Sequence, residues 1–393
     1  MRICIVTTSY PRFEGDDAGI FVERFVKALS PLVDSVLIIA PRDKDEPAYE
    51  KDGNIEIKRV EYWLPFGRKI AYGQGIPTNL KRNPLLAVQV PFLLLAITAS
   101  LIRERQSYDF VLASWIFSGV AAWIASIFTK ISYIITLKGT DMKLLEKKLF
   151  SSLVKKPLIN ASYVVSVSRP FVMEPPPHMA STGLRLIFVP NGVDIPIPTE
   201  KEIEEFRKAK SFPADDKNII FVGTHHPGKN ILFLLHTVSH PLLSDFNLIL
   251  CGRISDDSYK KEIYETIERL KIAQRVRIEG AVSPNEIPLY LSVSEYYMTA
   301  SKYEGMPNAV LEAMSAGLVV LASDIKPHRE LIEDGKSGII FSDDIEALAK
   351  RIDRLEKNPE QKAKLSENAR KRVEPLTWDA TAKMYLKLIG TER

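Results

Sequence analysis

The chain has 393 residues, of which 46% are hydrophobic and 26% are charged, as expected of a folded protein long enough for two domains. Its 53 Lys and Arg residues against 49 Asp and Glu give a net charge of +4, too small to favour a nucleic-acid partner. Cys4 and Cys251 both lie in apolar runs, so we expect no disulfide framework and a reducing, cytoplasmic location. Met1 leads directly into a strand-like run, so no secretory signal is expected.

The first half of the chain alternates strand-like apolar runs with helical patterns. The predicted strands are residues 2–7, 35–40, 54–61, 109–113, 132–137, 161–167 and 186–189. The predicted helices include residues 19–30, 85–104, 117–129 and 141–159. This alternation predicts a parallel sheet that is covered on both faces and binds its ligand beyond the carboxyl ends of its strands.

The second half repeats the same pattern. Its predicted strands are residues 218–223, 247–252, 276–280, 296–301, 318–322 and 338–341. Turn and extended residues at 191–198 separate the halves, and an amphipathic helix ends the chain. We therefore predict an α/β protein with two doubly wound Rossmann-like domains, residues 1–197 and 198–375, and a final helical segment, residues 376–393.

Residues 85–102 form an uncharged apolar stretch, preceded by Lys81 and Arg82 and followed by Arg103. Its eighteen residues reach the lower limit of length for a membrane-spanning helix. Polar residues within it and its position between two strands favour instead a buried helix that covers the sheet. A helix lying on a membrane surface, aided by the flanking cations, is the remaining alternative.

A tight loop joins the predicted strand 296–301 to a helix. Gly305 allows a sharp bend, Pro307 suits the first turn of the helix, and Gly317 suits its end. The amides of residues 305–308 would face outward there, with the positive end of the helix dipole behind them. This arrangement is suited to binding a phosphate.

Two carboxylates flank this predicted phosphate site. Glu304 precedes the helix, and Glu312 lies more than one turn inside it. If every step between them were helical, they would be separated by ~12 Å along the axis and rotated by ~80°. That separation suits a nucleotide sugar, which has a pyrophosphate in its middle and a hydroxyl-bearing sugar at each end. The alternative is an ordinary amphipathic helix with two solvated glutamates.

The stretch from Glu304 to Gly317 resembles the E-x7-E module of retaining glycosyltransferases of family 4, also called group 1. The resemblance is strongest over residues 189–333 and implies the GT-B fold, in which two Rossmann-like domains face a cleft. It also implies a metal-independent, cofactor-free enzyme that moves a hexose-type sugar from a nucleotide diphosphate sugar. Glu304 would then orient the transferred sugar and Glu312 the ribose. Further donor contacts would come from Gly305, Met306 and Asn308.

Residues 223–230 lie at the end of a predicted strand and nearly match the P-loop motif of nucleotide hydrolases. This pattern raises a rival hypothesis, a P-loop-like hydrolase that uses Gly223 and Lys229. Asn230 weakens that hypothesis because it replaces the hydroxyl that should hold Mg²⁺.

The same loop fits the resembling family in part. Gly223 and Lys229 match the glycine and lysine that grip the donor pyrophosphate there, and the resemblance makes Lys229 a catalytic candidate. The arginine that often follows the glycine is replaced by Thr224. Three nearby side chains are candidates for its role: His225, His226 and Arg253. A turn at Val282 resembles the family's contact to the nucleotide base.

In the first domain the resemblance implies that three residues line the cleft. Gly19 lies at a helix N-terminus after a flexible loop, although a surface turn is the alternative. Many relatives carry His-Gly-x-Asp where this chain has Lys138 and Asp141. Ser114 and Trp115 also stand where relatives place a histidine, so no histidine general base is available there. The chemistry at the acceptor is therefore left open.

The expected partners are a nucleotide-sugar donor, a glycan or lipid-linked acceptor and, if residues 85–102 lie on a bilayer, a membrane surface. Six scattered histidines and the acidic pairs in turns predict no metal site. A third alternative is a catalytically inactive relative that binds carbohydrate or membrane.

Overall fold

The computed structural model describes residues 1–73, 75–180 and 183–391, which divide into two compact α/β units. The first unit comprises Met1–Gly192 and Trp378–Arg393, and the second Val193–Thr377. The boundary predicted after residue 197 therefore lies beyond the observed one. The reason is that the Val193 N–H donates to the Leu376 carbonyl at 2.7 Å and its side chain packs in the second unit's core.

In the described part of the first unit, eight strands form one sheet in the order β3-β4-β2-β1-β5-β6-β7-β8. They are β1 Arg2–Val6, β2 Ser35–Pro41, β3 Tyr49–Asp52, β4 Ile55–Val60, β5 Phe110–Ser114, β6 Tyr133–Leu137, β7 Tyr163–Ser166 and β8 Leu186–Phe188. Neighbours pair in parallel except for β3, which is antiparallel to β4. The sequence did not predict β3 because three of its four residues are charged, a composition typical of an edge strand.

The helices of this unit lie between the strands and at the end of the chain. They are α1 Ile20–Leu29, α2 Ile76–Arg82, α3 Gln89–Arg103, α4 Trp115–Thr129, α5 Gly139–Leu145, α6 Lys148–Leu153, α7 Lys155–Ile159, α8 Arg169–Met173, α9 Pro177–Ala180 and, after the second unit, α18 Trp378–Gly390. The predicted helix 141–159 is thus three short helices. Pro157, which disrupts helix interiors, falls in the first turn of α7.

The last helix, α18, completes the core of the first unit. Ala382, Tyr385 and Ile389 are buried against the sheet side of α1. The Tyr385 hydroxyl lies 2.7 Å from Thr136 Oγ1, and the Thr381 hydroxyl donates to the Pro190 carbonyl at 3.0 Å. The chain therefore returns to its first unit after building the second.

Six strands, counted over the described residues of the second unit, form a parallel sheet in the order β11-β10-β9-β12-β13-β14. They are β9 Lys217–Val222, β10 Phe246–Cys251, β11 Val276–Gly280, β12 Tyr296–Thr299, β13 Val319–Ser323 and β14 Ile339–Phe341. This is the doubly wound order of nucleotide-binding sheets. Successive strands are added toward one edge from β9 to β11 and toward the other edge from β12 to β14, so the switch point lies between β9 and β12. Ligands of such sheets bind at that switch point, beyond the carboxyl ends of the strands.

Helices cover both faces of this sheet and bury two apolar clusters. They are α10 Glu200–Lys210, α11 Ile231–Val238, α12 Asp257–Leu270, α13 Ile287–Ser292, α14 Asn308–Ala316, α15 Lys326–Leu331, α16 Ile345–Glu356 and α17 Pro359–Val373. α14 contacts both β13 and α17, and its amino end follows the loop after β12, next to the switch point.

The apolar stretch predicted as a buried covering helix is mostly exposed. The helical segment Pro84–Arg103 is long and apolar enough to cross a membrane by length and composition, yet only 28% of its most apolar window is buried. The inner face, with Leu93, Ile97 and Leu101, packs in the unit. The expectation of a buried covering helix holds only for this inner face, because an uncharged helix gives no sequence signal of which face meets the sheet.

Candidate functional site

The loops that follow β9 and β12 meet at the switch point of the second unit. The Lys302 N–H donates to the Gly228 carbonyl at 2.9 Å and joins the two loops. Lys229 Nζ forms an ion pair with Glu304 Oε1, and their side chains are only 22% and 14% exposed. The structure therefore brings the two predicted catalytic residues into direct contact.

Glu304 sits among groups that stabilise its negative charge. Burial alone would raise the pKa of this carboxyl group, but the charge of Lys229 and hydrogen bonds from Lys229 and Ser301 outweigh it, with a smaller contribution from His328. The pKa of Glu304 consequently lies below its ordinary value. Glu304 is therefore a carboxylate at neutral pH, able to accept hydrogen bonds from sugar hydroxyls.

The loop between β9 and α11 does not form a phosphate cradle of the P-loop type. The amides of residues 228–230 donate within the loop, to His226 and the Pro227 carbonyl. The first amide of α11, from Ile231, donates to the Tyr259 hydroxyl at 3.0 Å. In a P-loop these amides would point at phosphates, so the hydrolase alternative lacks its anion site.

Two glycines let the loops after β9 and β10 run side by side. Gly252 has φ of +140°, and a Cβ there would lie 2.0 Å from the Gly223 carbonyl oxygen. The His225 N–H donates to the Arg253 carbonyl at 2.8 Å. Thr224 is half-buried and Arg253 is exposed in these two adjacent loops.

The helix after β12 presents its amino end to the same edge. Pro307 caps α14 instead of starting its first turn, because its carbonyl accepts the first two intrahelical hydrogen bonds, at 3.0 and 3.2 Å. Gly305 is buried, and its amide meets no acceptor in the part of the chain that the structure describes. Gly317 ends α14 with φ of +84°, as the sequence predicts. Met306 and Asn308 are half-buried beside this amino end.

Glu312 shares its surroundings with Glu304. The buried Tyr297 hydroxyl has a raised pKa, first because of burial and then because of the charges of Glu304 and Glu312. Both carboxylates therefore lie close enough to Tyr297, in β12, to act on its hydroxyl. Since residues 304–307 are not helical, the separation of ~12 Å calculated for a continuous helix does not apply.

Strand order places the remaining donor candidates along one edge. Val282 follows β11 and is half-buried against the core, Arg253 follows β10, and the Lys229 loop follows β9. Glu304 follows β12, three strands away from Val282. At about 4.8 Å per strand, the edge spans roughly 14 Å.

Sequence reasoning missed the residues that support Glu304 from β13. His328 is fully buried, and its Nδ1 lies 2.8 Å from the Ser323 carbonyl. The Ser323 hydroxyl donates to the Ser301 carbonyl at 2.6 Å. The pKa of His328 is lowered, chiefly by burial. The available signal was positional, because Ser323 ends β13, the strand next to β12, and His328 lies in the helix that follows.

In the first unit, Gly19 is required by a close backbone approach. It has φ of +73°, and a Cβ would lie 2.3 Å from the Ser9 carbonyl oxygen. The loop before it is fixed by Arg12, which bonds Asp16 at 2.7 Å and Asp43 at 2.6 Å. Asp16 is buried and paired, whereas Phe13, Glu14 and Asp17 are exposed, so the loop is a surface turn with an anchored interior and its role in the cleft stays a prediction.

The half-buried Lys138 and the buried Asp141 form a polar group at the end of β6. Lys138 Nζ donates to Asn191 Oδ1 at 3.0 Å and lies 4.8 Å from the centre of the Phe21 ring. Burial lowers the pKa of Lys138 to about 7 and raises the pKa of Asp141 to about 7, although the two charges favour each other. Asp141 accepts hydrogen bonds from the amides of Lys138 and Ile116.

Asp141 thereby anchors a strained turn. Trp115, the first residue of α4, has φ of +67°, which is unfavourable for a bulky side chain. Its ring packs edge-on against Phe21 at 5.5 Å. Because β1 and β5 flank the switch point of the first sheet, this turn lies where such sheets bind ligands.

Comparison with known proteins gives the following similarities. Residues 202–372 match the family model described as "Glycosyl transferases group 1". TuaC of Bacillus subtilis (strain 168), described as a teichuronic acid biosynthesis glycosyltransferase, is 24% identical over 369 residues, covering 91% of this chain and 89% of TuaC.

Two solved structures show the same fold over the full length. A sucrose-phosphate synthase from Thermosynechococcus elongatus has a TM-score of 0.81 at 20% identity, covering 99% of each chain. HepE from Anabaena, solved in complex with UDP-glucose, has a TM-score of 0.76 at 16% identity, covering 100% of each chain.

Proposed function

The chain belongs to the group 1 glycosyltransferases, which are sugar-transferring enzymes with the GT-B fold, and we propose the following reaction for it. It moves a hexose-type sugar from a nucleoside-diphosphate sugar to a glycan or lipid-linked acceptor, in a reducing, cytoplasmic compartment. The configuration at the anomeric carbon is retained, and no metal ion or cofactor takes part.

One observation carries this proposal: the Lys229–Glu304 pair lies beside the amino end of α14, at the switch point of the second sheet. A cation and a helix amino end favour a diphosphate, and the adjacent carboxylate favours sugar hydroxyls. The ~14 Å edge from β11 to β12 fits an extended ligand, with its base at Val282, its ribose at Glu312 and its sugar at Glu304.

The same groups account for the chemistry. As the bond between the anomeric carbon and the diphosphate breaks, negative charge develops on the leaving phosphate. Lys229 and the Gly305 and Met306 amides stabilise that charge, a role that Mg²⁺ fills in other transferases. The departing phosphate takes the proton of the acceptor hydroxyl, so the first unit needs no histidine base.

The similar proteins suggest which substrates to test first. HepE was solved with UDP-glucose, which supports a uridine diphosphate sugar as the first donor. The description of TuaC supports an acceptor of the kind used in teichuronic acid biosynthesis.

A thermal-shift panel of UDP-glucose, ADP-glucose and GDP-mannose tests donor binding. A ligand present at 100 times its Kd stabilises the folded state by about 2.7 kcal/mol, so a true donor raises Tm by several degrees. Lys229→Met should remove that shift, whereas Lys260→Met, an exposed lysine on α12, should leave it unchanged. Equal shifts in both variants, or none with any donor in the wild type, would contradict the proposal.

A further inference from the structure

The outer face of α3 and the turn before it is apolar throughout. Five large side chains are 38–82% exposed and recur at spacings of three, four, three and seven residues along one face: Leu85, Val88, Phe92, Leu95 and Ile102. A surface helix of a soluble protein normally carries charged residues there. Here the stretch contains no charge until Arg103.

A neighbouring loop extends this surface. Leu64 and Phe66 are 61% and 85% exposed. Gln89 fixes their loop to the amino end of α3 by donating to the Gly67 carbonyl at 2.7 Å, and Trp63 packs edge-on against Phe92 at 5.1 Å. We call the exposed side chains of Leu64, Phe66 and the five residues above the α3 apolar face.

The segment that carries this face contains cations but no acids, although Glu61 and Glu104 border it and Glu61 pairs with the buried Arg68. Residues 62–103 contain five cations and no Asp or Glu, so their charge of +5 exceeds the +4 of the whole chain and leaves −1 for the rest. Lys69, Lys81 and Arg82 are exposed near its amino end, and Arg103 is exposed at the other. An apolar surface with exposed cations at both ends is complementary to anionic lipid headgroups above acyl chains.

We propose that the α3 apolar face seats the first unit on an anionic membrane surface, with α3 in the plane of the interface. The helix does not span, because its inner face is packed against α4 and β2. The apolar side chains enter the boundary between headgroups and acyl chains, and the cations contact lipid phosphates. The exposed cations Lys69, Lys81 and Arg82 at its amino end favour this occupant over a protein surface of mixed charge.

Vesicle co-sedimentation of the full chain tests this inference. We expect binding to phosphatidylcholine vesicles containing about one third phosphatidylglycerol, little binding to phosphatidylcholine alone, and weaker binding at high salt. Brominated acyl chains should quench tryptophan fluorescence, because Trp63 lies next to Phe92. The assay needs no donor or acceptor, so its failure is distinguishable from failure of the proposed reaction.

Variants separate the contributions of charge and apolar area. Lys81→Glu with Arg82→Glu should lower the partition coefficient at least ~25-fold, since each cation near an anionic surface contributes roughly fivefold. Leu85→Gln with Leu95→Gln should lower it by about 100-fold. The matched controls in the second unit are Lys260→Glu with Lys261→Glu and Leu242→Gln with Tyr264→Ser, all at exposed positions.

Two results would overturn the inference. One is wild-type protein that stays in the supernatant with anionic vesicles. The other is a concentration-dependent dimer that the Leu85→Gln, Leu95→Gln variant abolishes, which would make the face an interface between two copies. Unchanged Tm in all variants shows that any loss of binding is not a loss of folding.

Discussion

The Lys229–Glu304 pair has both a structural and a chemical role. It links the loops after β9 and β12, and in the proposed reaction its cation faces the phosphates while its carboxylate faces the sugar. Because both side chains are largely buried, removing one leaves the other charge without compensation. Stability and activity should therefore respond differently to single and double substitutions.

We predict that Lys229→Met lowers the free energy of unfolding by about 2–3 kcal/mol, whereas Lys229→Met combined with Glu304→Gln recovers most of that loss. Neither variant should transfer sugar. Urea unfolding and donor turnover measured on the same preparations check both statements. Recovery of activity together with stability would show that the pair serves the fold alone.

The lowered pKa of Glu304 gives its contribution a defined pH dependence. A carboxyl group whose pKa is lower in the folded than in the unfolded state stabilises above its unfolded value, near 4.5, and loses this effect as pH falls through the folded value. The difference in free energy of unfolding between wild type and Glu304→Gln should thus be largest at pH 7 and disappear in acid. Glu14→Gln, at an exposed carboxylate, is the control variant measured over the same pH range. A difference for Glu304→Gln that does not change with pH would contradict this assignment.

At the scale of elements, glycines decide which loops can approach each other. Gly19 and Gly53 both adopt left-handed conformations, with φ of +73° and +57°, but only Gly19 faces a backbone oxygen. Alanine at either position should cost about 1 kcal/mol for its conformation. Gly19→Ala should cost at least ~2 kcal/mol more, because its Cβ meets the Ser9 carbonyl. Equal Tm losses in the two variants would refute this close approach.

The elements also show what the sequence can reveal. The strands of the second sheet are found within two residues of their predicted ends, because apolar runs bounded by turn residues define them well. The loop at Glu304 and the helix end at Gly317 follow from local chemistry. β3 was missed since Tyr49–Asp52 is charged, and its pairing with β4 depends on a neighbour that local pattern does not show.

Other parts of the site could not be predicted from local sequence. Tyr259 reaches the Ile231 amide from α12, and His328 approaches Glu304 from beyond β13. These contacts join segments far apart in the chain, so only the folded sheet reveals them. The exposed face of α3 was missed for a related reason, because an apolar helix does not specify its solvent side.

At the scale of the whole molecule, the proposed chemistry predicts insensitivity to metal chelation. Among the described residues, no group of three His, Cys, Asp or Glu side chains is placed to hold a metal ion. We expect donor turnover in EDTA to stay within about twofold of its value without EDTA, because Lys229 and the α14 amides supply the positive charge. A P-loop nucleotide hydrolase assayed in parallel should stop. Loss of turnover that Mg²⁺ or Mn²⁺ restores would refute metal independence.

The most direct test of the account is Glu304→Gln assayed with the donor that stabilises the wild type. The side chain keeps its size, but its hydrogen bonds to the sugar lose the negative charge. The variant should bind the donor within about tenfold of wild type while its turnover falls by at least about 100-fold, the scale of losing one charge-stabilising contact. Turnover equal to that of the wild type would contradict the central claim that Glu304 acts on the transferred sugar.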